Sequence, residues 1–187
     1  PGNSMPLTVA CVLKSGGEYD WSHVLRLRSM VHRYLDQPYE FVCIKDSPFP
    51  GFWAKLSMFE PDRFKGRVLY FDLDVTIKGK IDDLADYPAP FTIIKDWFQF
   101  GFNSSVMAWD AGVADHVFTD FDYQQDTPNF KGGDQAWIMH KMPSADKFPK
   151  AWCQSFKYAI LNGGFQPDMR VCVFHGFPKP WELTDFI

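Results

Sequence analysis

The 187-residue chain has no excess of basic residues: 19 lysines and arginines stand against 23 aspartates and glutamates, a formal charge of −4. It also has no lysine- or arginine-rich block. Without that electrostatic footprint, nucleic acid is not an expected partner. No uninterrupted apolar run approaches the roughly 18 residues that a membrane span requires, and the amino terminus has no charged-then-apolar signal segment. The expectation is a cytoplasmic protein with no membrane span. Cysteine is scarce, with four residues and no Cys-x-x-Cys pair, so neither a zinc ribbon nor a dithiol redox motif is expected. Cys11, Cys43 and Cys172 sit inside apolar runs, where a reduced thiol packs as a small hydrophobe. Repeats, low-complexity tracts and linkers are lacking too, so a single domain is expected over residues 5–187, with Pro1–Ser4 read as a cloning remnant.

The chain does contain alternating apolar runs and amphipathic stretches. Leu7–Leu13 is a nearly continuous apolar run, as in a strand covered on both faces. Asp20 is placed to cap a helix whose Trp21, Val24, Leu27, Val31 and Tyr34 recur at three- and four-residue steps, with Arg26, Ser29 and Arg33 on the other side. Phe41–Ile44 predicts a second strand, Phe52–Glu60 a short helix stopped by Pro61, and Val68–Phe71 a third strand. This strand–helix alternation predicts an α/β fold built on a parallel sheet with helices on its faces. Further strands are predicted at Phe91–Ile94, Ser105–Trp109 and Val171–Phe174. One helix is expected to be capped by Asp110 and to carry Val113, Val117, Phe118 and Phe121; another is expected to start at Gly133-Asp134.

Ligands of open α/β sheets collect beyond the carboxyl ends of the strands. Two strand ends are chemically loaded. After Val68-Leu-Tyr-Phe71, Asp72 and Asp74 stand at alternate positions that turn two carboxylates toward one point, and His175 follows the last strand. Two carboxylates and an imidazole form a mixed donor set suited to manganese, with magnesium as the alternative. A calcium loop is disfavoured because Ile77 stands where its sixth-position glycine is needed. The bland readings are a turn-capping pair of aspartates and a hydrogen-bonded structural histidine.

The segment Arg67-Val-Leu-Tyr-Phe-Asp72-Leu-Asp74-Val-Thr-Ile77, with Ile81-Asp-Asp-Leu84 behind it, resembles the Asp-x-Asp segment of nucleotide-sugar glycosyltransferases of the GT-A fold, nearest to glycosyltransferase family 8, the glycogenin-like enzymes. In the same order as in that family come Lys55, Phe102-Asn-Ser-Ser-Val-Met107, Gly132-Gly-Asp-Gln135, and His175-Gly176 with Lys179-Pro-Trp181. The resemblance implies an open, mixed, mostly parallel sheet and a transferase using a nucleoside diphosphate sugar, most often a UDP-sugar, with retention of anomeric configuration. By resemblance, Asp72, Asp74 and His175 would hold a divalent manganese or magnesium ion on the donor diphosphate. Gly176 and Lys179 would meet its phosphates, and Lys55 would reach the donor from the other side. Asn103 and Ser104 would line the sugar pocket, Asp134 and Gln135 would bond the transferring sugar, and Tyr19 would stack near the base. The chain departs from the family in carrying Lys131 where an aspartate is usual, and in having two fewer residues between the metal histidine and the terminal lysine.

Two other readings compete. Asp72-Leu-Asp74-Val-Thr76 also matches the first motif of haloacid-dehalogenase-like phosphohydrolases, with Asp72 as nucleophile, although that motif normally follows the first strand of its domain. A non-catalytic module that only binds the nucleotide sugar is the other, since a fold does not guarantee turnover.

Overall fold

The computed structural model describes residues 5–14 and 16–183; the proposed remnant at residues 1–4 lies outside them. The chain runs β1 (Leu7–Val12), α1 (Trp21–Tyr34), β2 (Glu40–Ile44), a 3₁₀ helix (Gly51–Phe59), β3 (Arg67–Phe71), β4 (Thr76–Ile77), α2 (Asp82–Ala85), β5 (Phe91–Lys95) and β6 (Phe102–Asp110). It continues with α3 (Asp115–Thr119), α4 (Tyr123–Asp126), α5 (Asp134–Lys141), β7 (Asp146–Lys147), β8 (Cys153–Ser155), α6 (Phe156–Leu161) and β9 (Val171–Val173). Six strands form one sheet in the order β2-β1-β3-β6-β5-β7, and a second sheet has the order β4-β9-β8. In the large sheet β1 is parallel to β2 and β3, β5 is parallel to β7, and β6 runs antiparallel between β3 and β5.

The apolar runs of β1 and β3 follow from burial on both faces. On β3, Leu69 and Phe71 join the core beneath α1, whereas Val68 and Tyr70 join the opposite core with Leu56, Met58, Phe59, Met107 and Trp109. The Asp20 cap is as expected: its carboxylate accepts from the Ser22 amide, and His23 closes a reciprocal box. Val24, Leu27 and Val31 form the buried stripe. Trp21, expected on that stripe, is exposed. Arg26, expected on the solvent side, is half-buried and donates to the Val75 carbonyl at 2.9 Å and to Thr76 Oγ1 at 2.8 Å. It thereby ties α1 to the loop carrying the aspartates.

Two other expectations are corrected. The helix expected from Asp110 starts four residues later, with Ala114 at its cap. Asp110 instead ends β6 opposite Arg67 and ion-pairs with it at 3.1 Å, and Gly112 has φ +98°, which interrupts any helix there. The strand expected at Val171–Phe174 forms, but in the second sheet between β4 and β8. Arg67, fully engaged, also donates to the carbonyls of Ala85, Tyr87 and Ala89, and so closes the lower edge of the sheet.

This topology builds one polar edge. Parallel β1 and β3 end there, and antiparallel β6 begins there, so the start of β6 meets the end of β3: the Asp72 amide donates to the Ser105 carbonyl at 2.9 Å. All four cysteines are free thiols, with Cys11, Cys153 and Cys172 buried.

Candidate functional site

The 3₁₀ helix passes beneath this edge and buries every residue from Trp53 to Phe59, including Lys55, which is 7% exposed. A buried ammonium needs oxygen partners, and Lys55 has four. Its Nζ lies 2.9 Å from Asp72 Oδ1, 3.3 Å from Asp134 Oδ2, 2.9 Å from Ser104 Oγ and 3.3 Å from the Ser104 carbonyl. Ser104 Oγ donates to Asp134 Oδ2 at 2.5 Å, completing the network. Burial alone would push the Lys55 ammonium down, but the Asp134 and Asp72 carboxylates outweigh it and hold Lys55 above the ordinary lysine value.

Asp134 opens α5 but does not cap it: the cap position is Gly133, and no side-chain cap bond forms there. The carboxylate is directed to Lys55 and Ser104 instead. Gly133 has φ +78° and ψ −156°, and a β-carbon on it would lie 2.9 Å from the Phe52 ring. That backbone region is essentially reserved for glycine. Gly133→Ala is therefore expected to lower stability by about 1–3 kcal/mol and to disturb the Asp134 carboxylate, measurable as a lower urea midpoint.

A second cluster forms around Asp74. Its Oδ2 accepts from Lys179 Nζ at 3.1 Å and from the Tyr19 hydroxyl at 3.1 Å, and Lys179 also donates to Tyr19 Oη at 2.8 Å. Lys179, 6% exposed, arrives from the carboxy-terminal segment, and Glu18 stands 3.5 Å from its Nζ. Burial and then the neighbouring Asp72 charge push the Asp74 carboxyl up, partly offset by Lys179. Burial, then the Asp74 and Glu18 charges, push the Tyr19 phenol up.

Between the clusters lies an open cleft of about 720 Å³, within the roughly 300–1,000 Å³ range of ligand pockets. Its walls include Tyr19, Lys55, Asp72, Asp74, Gly176 and Lys179. Six expected site residues thus share one cleft. Ser104 and Asp134 stand behind Lys55. Asn103 is buried, and its Oδ1 accepts from the Ser105 amide at 3.0 Å, a local turn bond. Gln135 is half-buried next to Asp134 in α5. Tyr19 meets Trp181 and His23 edge-on, at ring separations of 5.9 and 5.2 Å, and its hydroxyl belongs to the Asp74 cluster.

His175 makes its hydrogen bond away from the carboxylate pair, although it lies within reach of the Asp74 charge. Its Nε2 lies 2.9 Å from Ser155 Oγ, and Trp97 meets its ring edge-on at 5.2 Å. Burial pushes the imidazole down, favouring the neutral form that can accept the Ser155 proton. Among the described residues no three His, Cys, Asp or Glu side chains are grouped as a metal set. The donor chemistry that does fit a hard divalent cation is the Asp72–Asp74 pair. Asp72, Asp74 and Asp134 are three carboxylates to the two ammonium groups Lys55 and Lys179, and magnesium-type sites use one or two carboxylates completed by substrate phosphates.

Tyr70, not foreseen from the sequence, donates to Asp72 Oδ1 at 2.6 Å from a side chain only 1% exposed. The signal was present, because residues two apart on a strand share a face. Phe52 and Glu18 carried no comparable signal.

No protein-family profile and no curated protein sequence matches the chain. Solved structures do. The glycosyltransferase GlyE of Streptococcus pneumoniae TIGR4 superposes with TM-score 0.70 at 14% identity, covering 96% of this chain and 56% of GlyE. The galactosyltransferase LgtC, solved with donor and acceptor sugar analogues, gives TM-score 0.66 at 14% identity over 96% of this chain and 90% of LgtC. The bifunctional glycosyltransferase WbbM gives 0.62 at 12% identity, over 97% of this chain and 48% of WbbM. The chain has the GT-A glycosyltransferase fold. It spans little more than half of GlyE and about half of WbbM, but nearly all of LgtC. No helix among the described residues is long and apolar enough to cross a membrane.

Proposed function

We propose that the protein is a metal-dependent glycosyltransferase that takes a sugar from a nucleoside diphosphate donor, a UDP-sugar by resemblance, with retention of anomeric configuration, and passes it to an acceptor. The observation that carries this reading is the double clamp in the cleft: Lys55 held by Asp72, Asp134 and Ser104 on one side, Lys179 held by Asp74 and Tyr19 on the other. Two ammonium groups and two open-edged carboxylates on one cleft suit a diphosphate with its counter-cation. A manganese or magnesium ion, when bound, would offset the negative charge developing on the leaving diphosphate.

The residues divide the remaining work. Asp72 and Asp74 would hold the cation, with the diphosphate supplying further oxygens. Lys179 and the Gly176 amide would bind phosphate oxygens, and Lys179 can turn to them by giving up one of its three oxygen partners. Lys55 stays buried and keeps Asp72 and Asp134 in fixed positions, and Asp134, through the oxygen that Lys55 and Ser104 do not engage, would bond the transferring sugar together with Gln135. Such preorganisation lowers the cost of orienting the reacting groups. His175 would remain on Ser155, next in the chain to Gly176.

The testing experiment is turnover of a panel of nucleoside diphosphate sugars with manganese, read as release of free nucleotide. The expected result is metal-dependent hydrolysis or transfer with at least one UDP-sugar. Hydrolysis of a phosphomonoester through an aspartyl-phosphate on Asp72 would instead favour the phosphohydrolase reading. Donor binding with no turnover across a broad acceptor panel would favour the binding module.

A further inference from the structure

A second cleft, sharing no wall residue with the first, opens at the far end of the large sheet. It has a volume of about 380 Å³, and its walls include Trp97, Phe148 and Tyr158, with Lys95, Lys147 and Lys150 around them. The topology explains the cluster. β5 and β7 are parallel and pair Ile93 with Lys147, so Lys95 and Lys147 emerge at the same strand ends, where ligands of such sheets collect. Lys150 follows in the next loop.

Three exposed lysines are ordinary singly, but here they surround one aromatic cleft in a chain whose net charge is −4. None has a carboxylate partner among the described residues, whereas Lys55, Lys80, Lys141 and Lys179 all do. The one acid in the cleft wall, Asp96, has its Oδ1 taken by the Phe98 and Gln99 amides at 2.8 and 3.1 Å. The Lys147 ammonium leans over the Phe102 ring at 4.8 Å, leaving Lys95 and Lys150 as the main unpaired charges. The aromatic floor is held in place: the Trp97 indole donates to the Cys153 carbonyl at 3.2 Å. The Tyr158 hydroxyl makes no hydrogen bond to the described residues, so it can bond a ligand.

We propose that this cleft binds a saccharide ring bearing an anionic group, a carboxylate or a phosphate. The ring would lie on Trp97 and Tyr158, with its charge met by Lys95 and Lys150. A small number of polar groups around an aromatic floor is the usual build of a small-ligand site, and the volume suits one sugar residue. Trp97 also connects the two clefts by contact: its ring meets His175 edge-on at 5.2 Å, and the next residue, Gly176, lines the larger cleft. The role of the bound sugar as acceptor, or as a neighbouring residue of the acceptor chain, rests on the transferase reading; the binding itself does not.

Calorimetric titration of the full chain with glucuronate, glucose 6-phosphate, glucose and inorganic phosphate tests the inference. At least one sugar acid is expected to bind ten-fold or more tightly than both glucose and inorganic phosphate. The double variant Lys95→Gln/Lys150→Gln is expected to lose at least ten-fold of that affinity, and Lys65→Gln, remote from the cleft, none. Equal binding of glucose, equal binding of bare phosphate, no binding of either sugar acid, unchanged affinity in the double variant, or a matching loss in Lys65→Gln would overturn it. UDP titrated with manganese in the same preparations reports separately on the larger cleft, and the double variant is expected to bind UDP as the wild type does. Failure of UDP binding in the wild type would count against the transferase reading without touching the sugar-acid result.

Discussion

Lys55→Met is expected to destabilise the protein by about 3–5 kcal/mol, the usual cost of removing one partner from a buried ion pair. Methionine matches the lysine stem in length, so the loss comes from charge, not from a cavity. Asp72 and Asp134, with side chains 24% and 11% exposed, would be left facing each other without the ammonium that separates them. The denaturant midpoint should fall while the slope with denaturant stays unchanged. Asp134→Asn should recover part of the loss in a Lys55→Met background, because it removes one of the two stranded charges. In a double-mutant cycle the two changes would then be clearly non-additive. Additive effects would mean that Lys55 is tolerated in the core, not bound there by the carboxylates.

Asp134→Asn alone is expected to act on chemistry. Asparagine keeps the shape and can still accept from Ser104 Oγ and Lys55, so the fold should survive. If Asp134 positions the transferring sugar, donor hydrolysis or transfer should fall on the order of 100-fold with UDP binding retained, the scale expected for misplacement near the reacting carbon. The structure sharpens this contrast, because Asp134 makes no capping bond whose loss could explain a defect. Wild-type turnover in Asp134→Asn would remove the residue from the catalytic assignment.

The fold was legible where long periodic segments met clear punctuation. The two-faced apolar runs of β1 and β3 and the Asp20 cap of α1 could be read directly, because burial on both sides and a side-chain cap leave signatures in the sequence. The two- and three-residue strands β4 and β8 are too short to show a period, so β9 could be read as a strand but its partners, and with them the second sheet, were not foreseen. Asp110 looked like a helix cap because Val113, Val117, Phe118 and Phe121 follow it at helical spacing. Its pairing with Arg67, 43 residues distant, decided otherwise, and local sequence carries no trace of such a partner.

The site divides in the same way. Asp72 and Asp74 stood out because carboxylates directly after a fully buried strand must be compensated. The compensating groups were harder to read. Lys55 lies in the apolar stretch Trp53-Ala-Lys-Leu56, and its burial follows only from the meeting of β3, β6 and α5 above it. His175 ends an apolar strand just as a ligand would, but that strand belongs to the second sheet, where Ser155 on the neighbouring strand β8 takes its Nε2. The second cleft was invisible for a related reason: its lysines come from two strands and a loop, spread over more than fifty residues.

The central claim is that Asp72 and Asp74 recruit a divalent cation that makes diphosphate binding possible. It is tested most directly by following the thermal midpoint with UDP, with and without manganese, in the wild type and in Asp72→Asn and Asp74→Asn, since a ligand of the native state raises apparent stability with its concentration. The account predicts a UDP-dependent rise in the wild type that needs manganese and is lost in both variants, each of which stays folded. A UDP response of equal size without metal, or one retained in both variants, would contradict it.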